Sequence, residues 1–193
     1  MTAKEELVAA VRAFYAAGYT TSVSGNHSIR SKGWMWITPS GTPRYRMRLS
    51  DLVRINLRTG TRPLKAKPSI EADMHLKIYA ARPDVLAIAH THSPYTIAVS
   101  ISSEFIHVIE EAKLIVGDPV VVPNAPSGSQ ALAKSVAHAF ASGANAVVIK
   151  NHGVVAAGAN IHAARAIIES LEEWSKILVL SKILGGPSVL LSS

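Results

Sequence analysis

Residues 85–95, VLAIAHTHSPY, form an apolar run that does not alternate and that ends in two histidines one residue apart. A strand buried on one face alternates apolar with polar residues, so this run fits a central strand covered on both sides. Successive strand residues point to opposite faces, which puts His90 and His92 on one face, about 7 Å apart along the chain. Such a pair is either a metal grip or two hydrogen-bonded histidines at a strand mouth. Pro94 follows where it can open a helix, here over residues 94–103.

The neighbouring stretches supply the rest of a layered fold. Upstream, PSIEADMHLKIYAARP (68–83) suits a helix with Ser69 as N-cap and Pro83 beyond its end. HSIRSKGWMWITPSG (27–41) reads as two short strands around a Lys-Gly turn, and LVRINL (52–57) as another strand. Leu7, Val8, Val11, Phe14 and Tyr15 recur at helical spacing and stop near Gly18. Downstream, PVVVP (119–123) and AVVIKNHG (146–153) read as strands flanking a helix capped by Ser127 or Ser129. A long helix over residues 160–184, which Asn160 can cap, ends the pattern. The order predicts an α/β fold, a single domain over residues 1–193, with a central mixed or largely antiparallel sheet covered by helices in three layers.

Composition narrows the function classes. With 48% apolar and 17% charged residues among 193, the chain is globular in character. It has no cysteine, so any metal site must use His, Asp or Glu. The amphipathic start MTAKEELVAAVRAFYAAG is unlike a signal peptide, and no apolar run reaches membrane-spanning length. A cytoplasmic protein without a membrane partner is expected. The net charge of +7 resides in residues 44–67, where eight Arg and Lys face only Asp51, while the rest balances 12 basic with 12 acidic residues. That segment can be a solvated face, an attraction for phosphorylated metabolites or a nucleic-acid patch. It has Tyr45 as its one aromatic and no binding motif, so no nucleic-acid partner is expected.

NAVVIKNHG (145–153) ends in a third histidine, His152. Two buried strands ending in imidazoles can bring three nitrogens together, and three neutral imidazoles leave an open position on a divalent ion. The plain alternative for KNHG is a turn in which Gly153 permits an unusual backbone angle. Glu71 falls in the first turn of the helix after Ser69, where the helix dipole favours a carboxylate. Beside a metal, the same group can carry protons. Asp73 and His75 read as surface or packing residues, and His27, His107, His138 and His162 as structural or exposed. SVSGNHS (22–28) and TPSG (38–41) offer hydroxyls and free amides of the kind that wrap phosphate, although each alone is commonly just a turn.

In this order the pieces resemble the class II aldolase/adducin family. SGNHSIR is similar to its Gly-Asn phosphate loop and ITPSG to its second phosphate loop. KPSIEADMHLKIYAARPDVLAIAHTHSPY resembles the stretch joining its acid/base carboxylate to two zinc histidines, and KNHGVVAAG the stretch bearing the third. The resemblance runs from about residue 3 to residue 185. It implies one Zn2+ per subunit on His90, His92 and His152, with Glu71 as acid/base and Gly25, Asn26, Ser40, Gly41 and Ser69 on a substrate phosphate. It also implies a homotetramer with sites near subunit contacts, and an aldolase acting on a small sugar phosphate such as L-fuculose 1-phosphate. The family's alternatives are dehydratases, decarboxylases, 4-epimerases and the non-catalytic adducin head. The epimerases carry Asp where Glu71 stands, which favours lyase chemistry. Three departures from the fuculose-phosphate aldolases bear on the substrate. Ile70 stands where they have a second serine, Val108 where they have a tyrosine, and the chain lacks their tyrosine-bearing C-terminal tail.

Overall fold

The computed structural model describes residues 1–102, 104–187 and 190–191. Seven strands, β1 (Asn26–Ser31), β2 (Trp34–Ile37), β3 (Val53–Asn56), β4 (Ala87–Thr91), β5 (Val120–Val122), β6 (Ala146–Ile149) and β7 (Gly153–Gly158), form one sheet. Its order is β3-β2-β1-β4-β7-β6-β5. Only β5 and β6 pair in parallel. The sheet is therefore mixed and mainly antiparallel, as the sequence predicts. β4 stands in the middle with all of its residues buried, because helices cover both faces.

Those helices are α1 (Ala3–Ala16), α2 (Ala72–Ala81), α3 (Pro94–Ser102), α4 (Glu110–Val116), α5 (Gln130–Ala141) and α6 (Ile161–Ile183). Strand alternation sorts the apolar side chains into two cores. Ile29, Ala87, Ala89, Ala146, Val148, Val154 and Ala156 join residues of α1, α4 and α6 on one face. Ile88, Val147, Ile149, Val155 and Ala157 join α2 and α5 on the other. The small alanines of β4 admit the long helix α6, whose Trp174 and Leu171 are completely buried. By the same alternation Asn26, Ser28 and His90 share the α2 face. The sheet's parity therefore gathers polar groups beneath the start of that helix.

Helix termini follow their local chemistry. Thr2 and Glu5 form a reciprocal capping box at α1. Ser129, not Ser127, caps α5, and Asn160 caps α6. Three expectations are corrected. AVVIKNHG is not one strand: it turns at residues 150–152 and returns as β7, with His152 N–H donating to the Ile149 carbonyl (3.1 Å). The left-handed residue in that turn is Asn151 (φ 59°), so Gly153 is not needed for an unusual angle. α2 begins at Ala72 with Glu71 in the N-cap position; Ser69 lies one bend earlier and accepts from the Glu71 amide (3.2 Å). The short helix α4, with Ala112 and Val116 buried one turn apart, gives too little periodicity to be legible in the sequence. Residue 103, the expected end of α3, and residues 188, 189, 192 and 193 of the tail lie outside the described residues. Among the described residues, no helix is long and apolar enough to cross a membrane.

Trp174 locks this arrangement, donating its indole N–H to the Ile106 carbonyl (2.7 Å) between the rings of Phe105 and His107. Trp174→Ala should cost about 3–5 kcal/mol in a urea titration, and Trp174→Phe clearly less, because the phenyl ring refills most of the space.

Candidate active site

His90 is the penultimate residue of β4 and fully buried, and His92 follows just beyond the strand. The β6–β7 turn carries His152 over the same end. The three rings lie with centroids 4.9–5.1 Å apart and nearly edge to face, and one ligand atom from each falls within 4.8 Å of the others. The approach depends on Gly153. A β-carbon there would lie 2.2 Å from the Thr91 carbonyl oxygen and 3.1–3.2 Å from the His90 and His92 rings. A real side chain would have to push the turn away from β4.

His90 Nδ1 lies 3.0 Å from the Val154 carbonyl, which can only accept, so Nδ1 carries the proton and Nε2 turns a lone pair inward. His90 Nε2 and His152 Nε2 are 3.3 Å apart. Without a cation one of them must donate to the other; with a cation both lone pairs face it. His152 Nδ1 and Glu71 Oε1 are buried without hydrogen-bond partners. The donor set, three imidazoles with a carboxylate beside them, fits a divalent ion held by His90, His92 and His152. Burial, then the neighbouring His90 and His152, pushes His92 down to about 3, and burial followed by His90 also lowers His152. Both rings are thus neutral near pH 7, the form that ligates.

Glu71 sits against this group with Oε2 3.3 Å from His90 Nε2 and Oε1 3.5 Å from His152 Nε2. Burial would raise its carboxyl. Positive charge at His90, where in the ion-free protein a proton on Nε2 takes the place of the ion and donates to the carboxylate, together with the Asn26 amide and His152, holds it well below the usual carboxylate range. A directed chain of hydrogen bonds supports it from behind. Asn26 Nδ2 donates to Glu71 Oε2 (2.7 Å), and Asn26 Oδ1 accepts from His75 Nε2 (2.7 Å). His75 Nδ1 must then accept from Ser28 Oγ (2.7 Å), which accepts from Tyr79 Oη (2.9 Å). Burial, followed by His90, pushes His75 down to about 3, keeping it neutral in this chain. From sequence alone this role for His75 is not distinguished from packing; the available signal is its spacing of four from the N-cap Glu71.

The two glycine loops meet in front of the histidines. Gly25 (φ 68°) has no room for a side chain, since a β-carbon would lie 2.6 Å from Thr20 Cγ2 and 2.7 Å from the His90 carbonyl oxygen. Ser40 N–H donates to the Lys67 carbonyl and Ser69 N–H to the Thr38 carbonyl, each near 3.0 Å, which ties TPSG to the segment before α2. A cavity of about 160 Å³ results, lined by Gly25, Asn26, Ser40, Gly41 and Ser69 together with Glu71, His92 and His152. Ser127, read from sequence only as a candidate helix cap, and Arg44, read only as part of the basic segment, line it too. A larger concavity of about 620 Å³ beside Arg54, Lys65 and Lys67 contains none of the histidines and not Glu71. Of the two, the smaller is the one that brings Glu71, His92 and His152 together. Of the basic segment, Arg46, Arg48, Arg54, Arg58, Arg62, Lys65 and Lys67 are exposed, a solvated face, whereas Arg44 is buried. His107 lies elsewhere, stacked on Trp174 and 2.6 Å from Asp118.

A mixed sheet with three histidines gathered at one end of its middle strands defines a layered α/β protein with a candidate metal centre. Residues 5–179 match the model of the class II aldolase and adducin N-terminal domain, and the chain belongs to that family. It is 32% identical over 190 residues to the 5-deoxy-D-ribulose 1-phosphate aldolase of Bacillus thuringiensis serovar kurstaki, covering 97% of this chain and 89% of the relative. It is 33% identical over 181 residues to the 3-oxo-tetronate 4-phosphate decarboxylase of Haemophilus influenzae, covering 90% and 85%. A solved L-fuculose 1-phosphate aldolase superposes with a TM-score of 0.87 at 30% identity, over 98% of this chain and 90% of that one. The chain is an enzyme of the class II aldolase type, a class that depends on a metal.

Gly153→Ala should lower divalent-ion affinity about 10- to 100-fold, the size of an outer-shell defect; a competition titration with a chelating dye reads it. A second outcome concerns acid. His27, His75 and His92 are neutral in the folded protein well below the 6.5 of an unfolded histidine. Between about pH 6.5 and 3 the unfolded chain therefore binds more protons, and stability is lost as pH falls through that window. Urea midpoints of the metal-free protein should decline steadily from pH 7 to pH 4; a flat profile would contradict buried, neutral histidines.

Proposed function

We propose that the protein is a zinc-dependent aldolase that cleaves a small, L-fuculose-1-phosphate-like sugar phosphate to dihydroxyacetone phosphate and an aldehyde. One observation carries the reading: a single cavity joins His92, His152 and Glu71 to Gly25, Asn26, Ser40, Gly41 and Ser69. A phosphate at the loops and a reacting carbon at Glu71 then fall within the length of one small substrate. The aldolase relatives add weight to it.

His90, His92 and His152 are assigned as the ligands of one ion per subunit. Imidazoles suit zinc, and the chain has no thiolate to offer a softer metal. The bound ion supplies the positive charge that cleavage of a carbon–carbon bond beside a carbonyl requires. The protein supplies the rest. The loops hold the phosphate and so orient the bond to be broken, using binding energy remote from the reacting carbon. Asn26 and the chain behind it fix Glu71 Oε2, which leaves Oε1 as the oxygen that delivers a proton to the new carbanion or removes one in the reverse direction. We further assign a homotetramer; Ile183 and Leu184, strongly exposed at the end of α6, offer apolar surface for subunit contact.

Decarboxylation is the second reading, favoured by the decarboxylase relative at 33% identity. Loss of carbon dioxide beside a carbonyl leaves the same kind of carbanion, so the same Glu71 can protonate it.

Glu71→Gln preserves shape and removes the proton carrier. Turnover should fall about 100- to 10,000-fold while ion content stays that of the wild type. A screen of sugar phosphates and 3-oxo acid phosphates with zinc-loaded protein, read by product identity, separates the two reactions. Near-normal turnover in the Gln variant with full zinc would defeat the Glu71 assignment.

A further inference from the structure

Arg44 is 2% exposed and uses all five of its N–H donors on backbone carbonyls. Nε donates to Ser24 (3.1 Å), Nη1 to Pro39 (3.2 Å) and Thr42 (3.1 Å), and Nη2 to Val23 (3.1 Å) and Gly25 (2.7 Å). Three of these carbonyls belong to the Gly-Asn loop and two to the second loop, so one planar guanidinium ties both together. Among the described residues no carboxylate pairs with it. Burial pushes the group down to about 10, which leaves it charged at neutral pH.

A buried cation without a counter-ion is costly, and carbonyl dipoles compensate it only in part. Arg44 also lines the cavity with Asn26, Ser40, Gly41 and Ser69. Five carbonyl oxygens that would repel an anion are engaged by a positive group, so the two loops bring a positive charge to the cavity, in which Glu71 is the one carboxylate. Ile70, which lines the same cavity, offers no donor, and this raises the weight of that charge.

We propose that Arg44 is the positioning and charge-selecting residue of this cavity: it joins the two loops into one wall and makes the site prefer a doubly charged phosphate monoester over singly charged ligands of the same shape. The inference rests on the phosphate reading of the cavity and deepens it. The bound dianion completes the ion pair that the fold leaves open.

Methyl phosphate and methyl sulfate have the same shape and differ by one charge at pH 8. Calorimetric titration of both into the zinc-loaded full-length protein should show a preference for methyl phosphate. Arg44→Gln should weaken methyl phosphate about 10- to 100-fold and shrink the preference, with zinc content unchanged. Arg44→Lys keeps the charge but not the fork, so it should weaken both ligands and retain the preference; it also serves if the Gln variant does not fold. A purely structural role predicts that every variant weakens the two ligands equally, and that result overturns the proposal. Wild-type preference and affinity in Arg44→Gln overturn it too, while leaving the phosphate reading in place. If the wild type binds neither ligand, the phosphate reading falls and Arg44's role falls with it.

Discussion

The whole site hangs on how closely one turn can lie against one strand. Thr91 presents a carbonyl oxygen to residue 153, and the gap admits a hydrogen atom but no methyl group. Because β7 returns beside β4 from that point, the position of His152 relative to His90 and His92 is set by backbone contact and not by flexible side chains. Three rings held at the ends of adjoining strands need little rearrangement to receive an ion, which is the condition for tight and selective ligation. A glycine is thus required here for distance, while the left-handed conformation of the turn falls to Asn151.

Placing so many polar groups under α2 conflicts with the hydrophobic packing that holds the layers together. The fold resolves this by parity. Alternate residues of β1 send Asn26 and Ser28 toward α2 while His27 and Ile29 enter the opposite side, His27 against Phe14. Asn26, Ser28, His75 and Tyr79 then satisfy one another in sequence, so their burial costs less than that of isolated groups. Polar atoms left without partners include Glu71 Oε1 and His152 Nδ1, both in the candidate site. Of these, Glu71 Oε1 is turned toward His152 Nε2, 3.5 Å away, where a ligand can complete it.

Much of this was legible in the sequence, and the parts that were not share a cause. The central strand, the Pro94 helix start and the Asn160 cap are local signals: a run of apolar residues, a fixed φ, a side-chain oxygen near free amides. AVVIKNHG reads as one strand because an apolar strand, a three-residue turn and another apolar strand look continuous when no proline or Asn-Gly pair punctuates them. Arg44 was hidden in a basic segment whose other members do face solvent, and its partners are carbonyls, which leave no trace in residue identity. His75 was hidden similarly, since its partners come from β1, nearly fifty residues away. Histidine spacing located the candidate site; long-range hydrogen bonds to ordinary residues built its frame.

The support behind Glu71 has a further consequence for how hydrogen moves. Every donor from Tyr79 to Asn26 points the same way, toward the carboxylate, and the last link is an amide. An amide N–H is too weak an acid to pass its hydrogen on, so the chain holds Glu71 in place but cannot serve as a conduit. The interior is insulated. Any proton that Glu71 gains or gives up must then cross on its other side, toward the histidine group and the cavity.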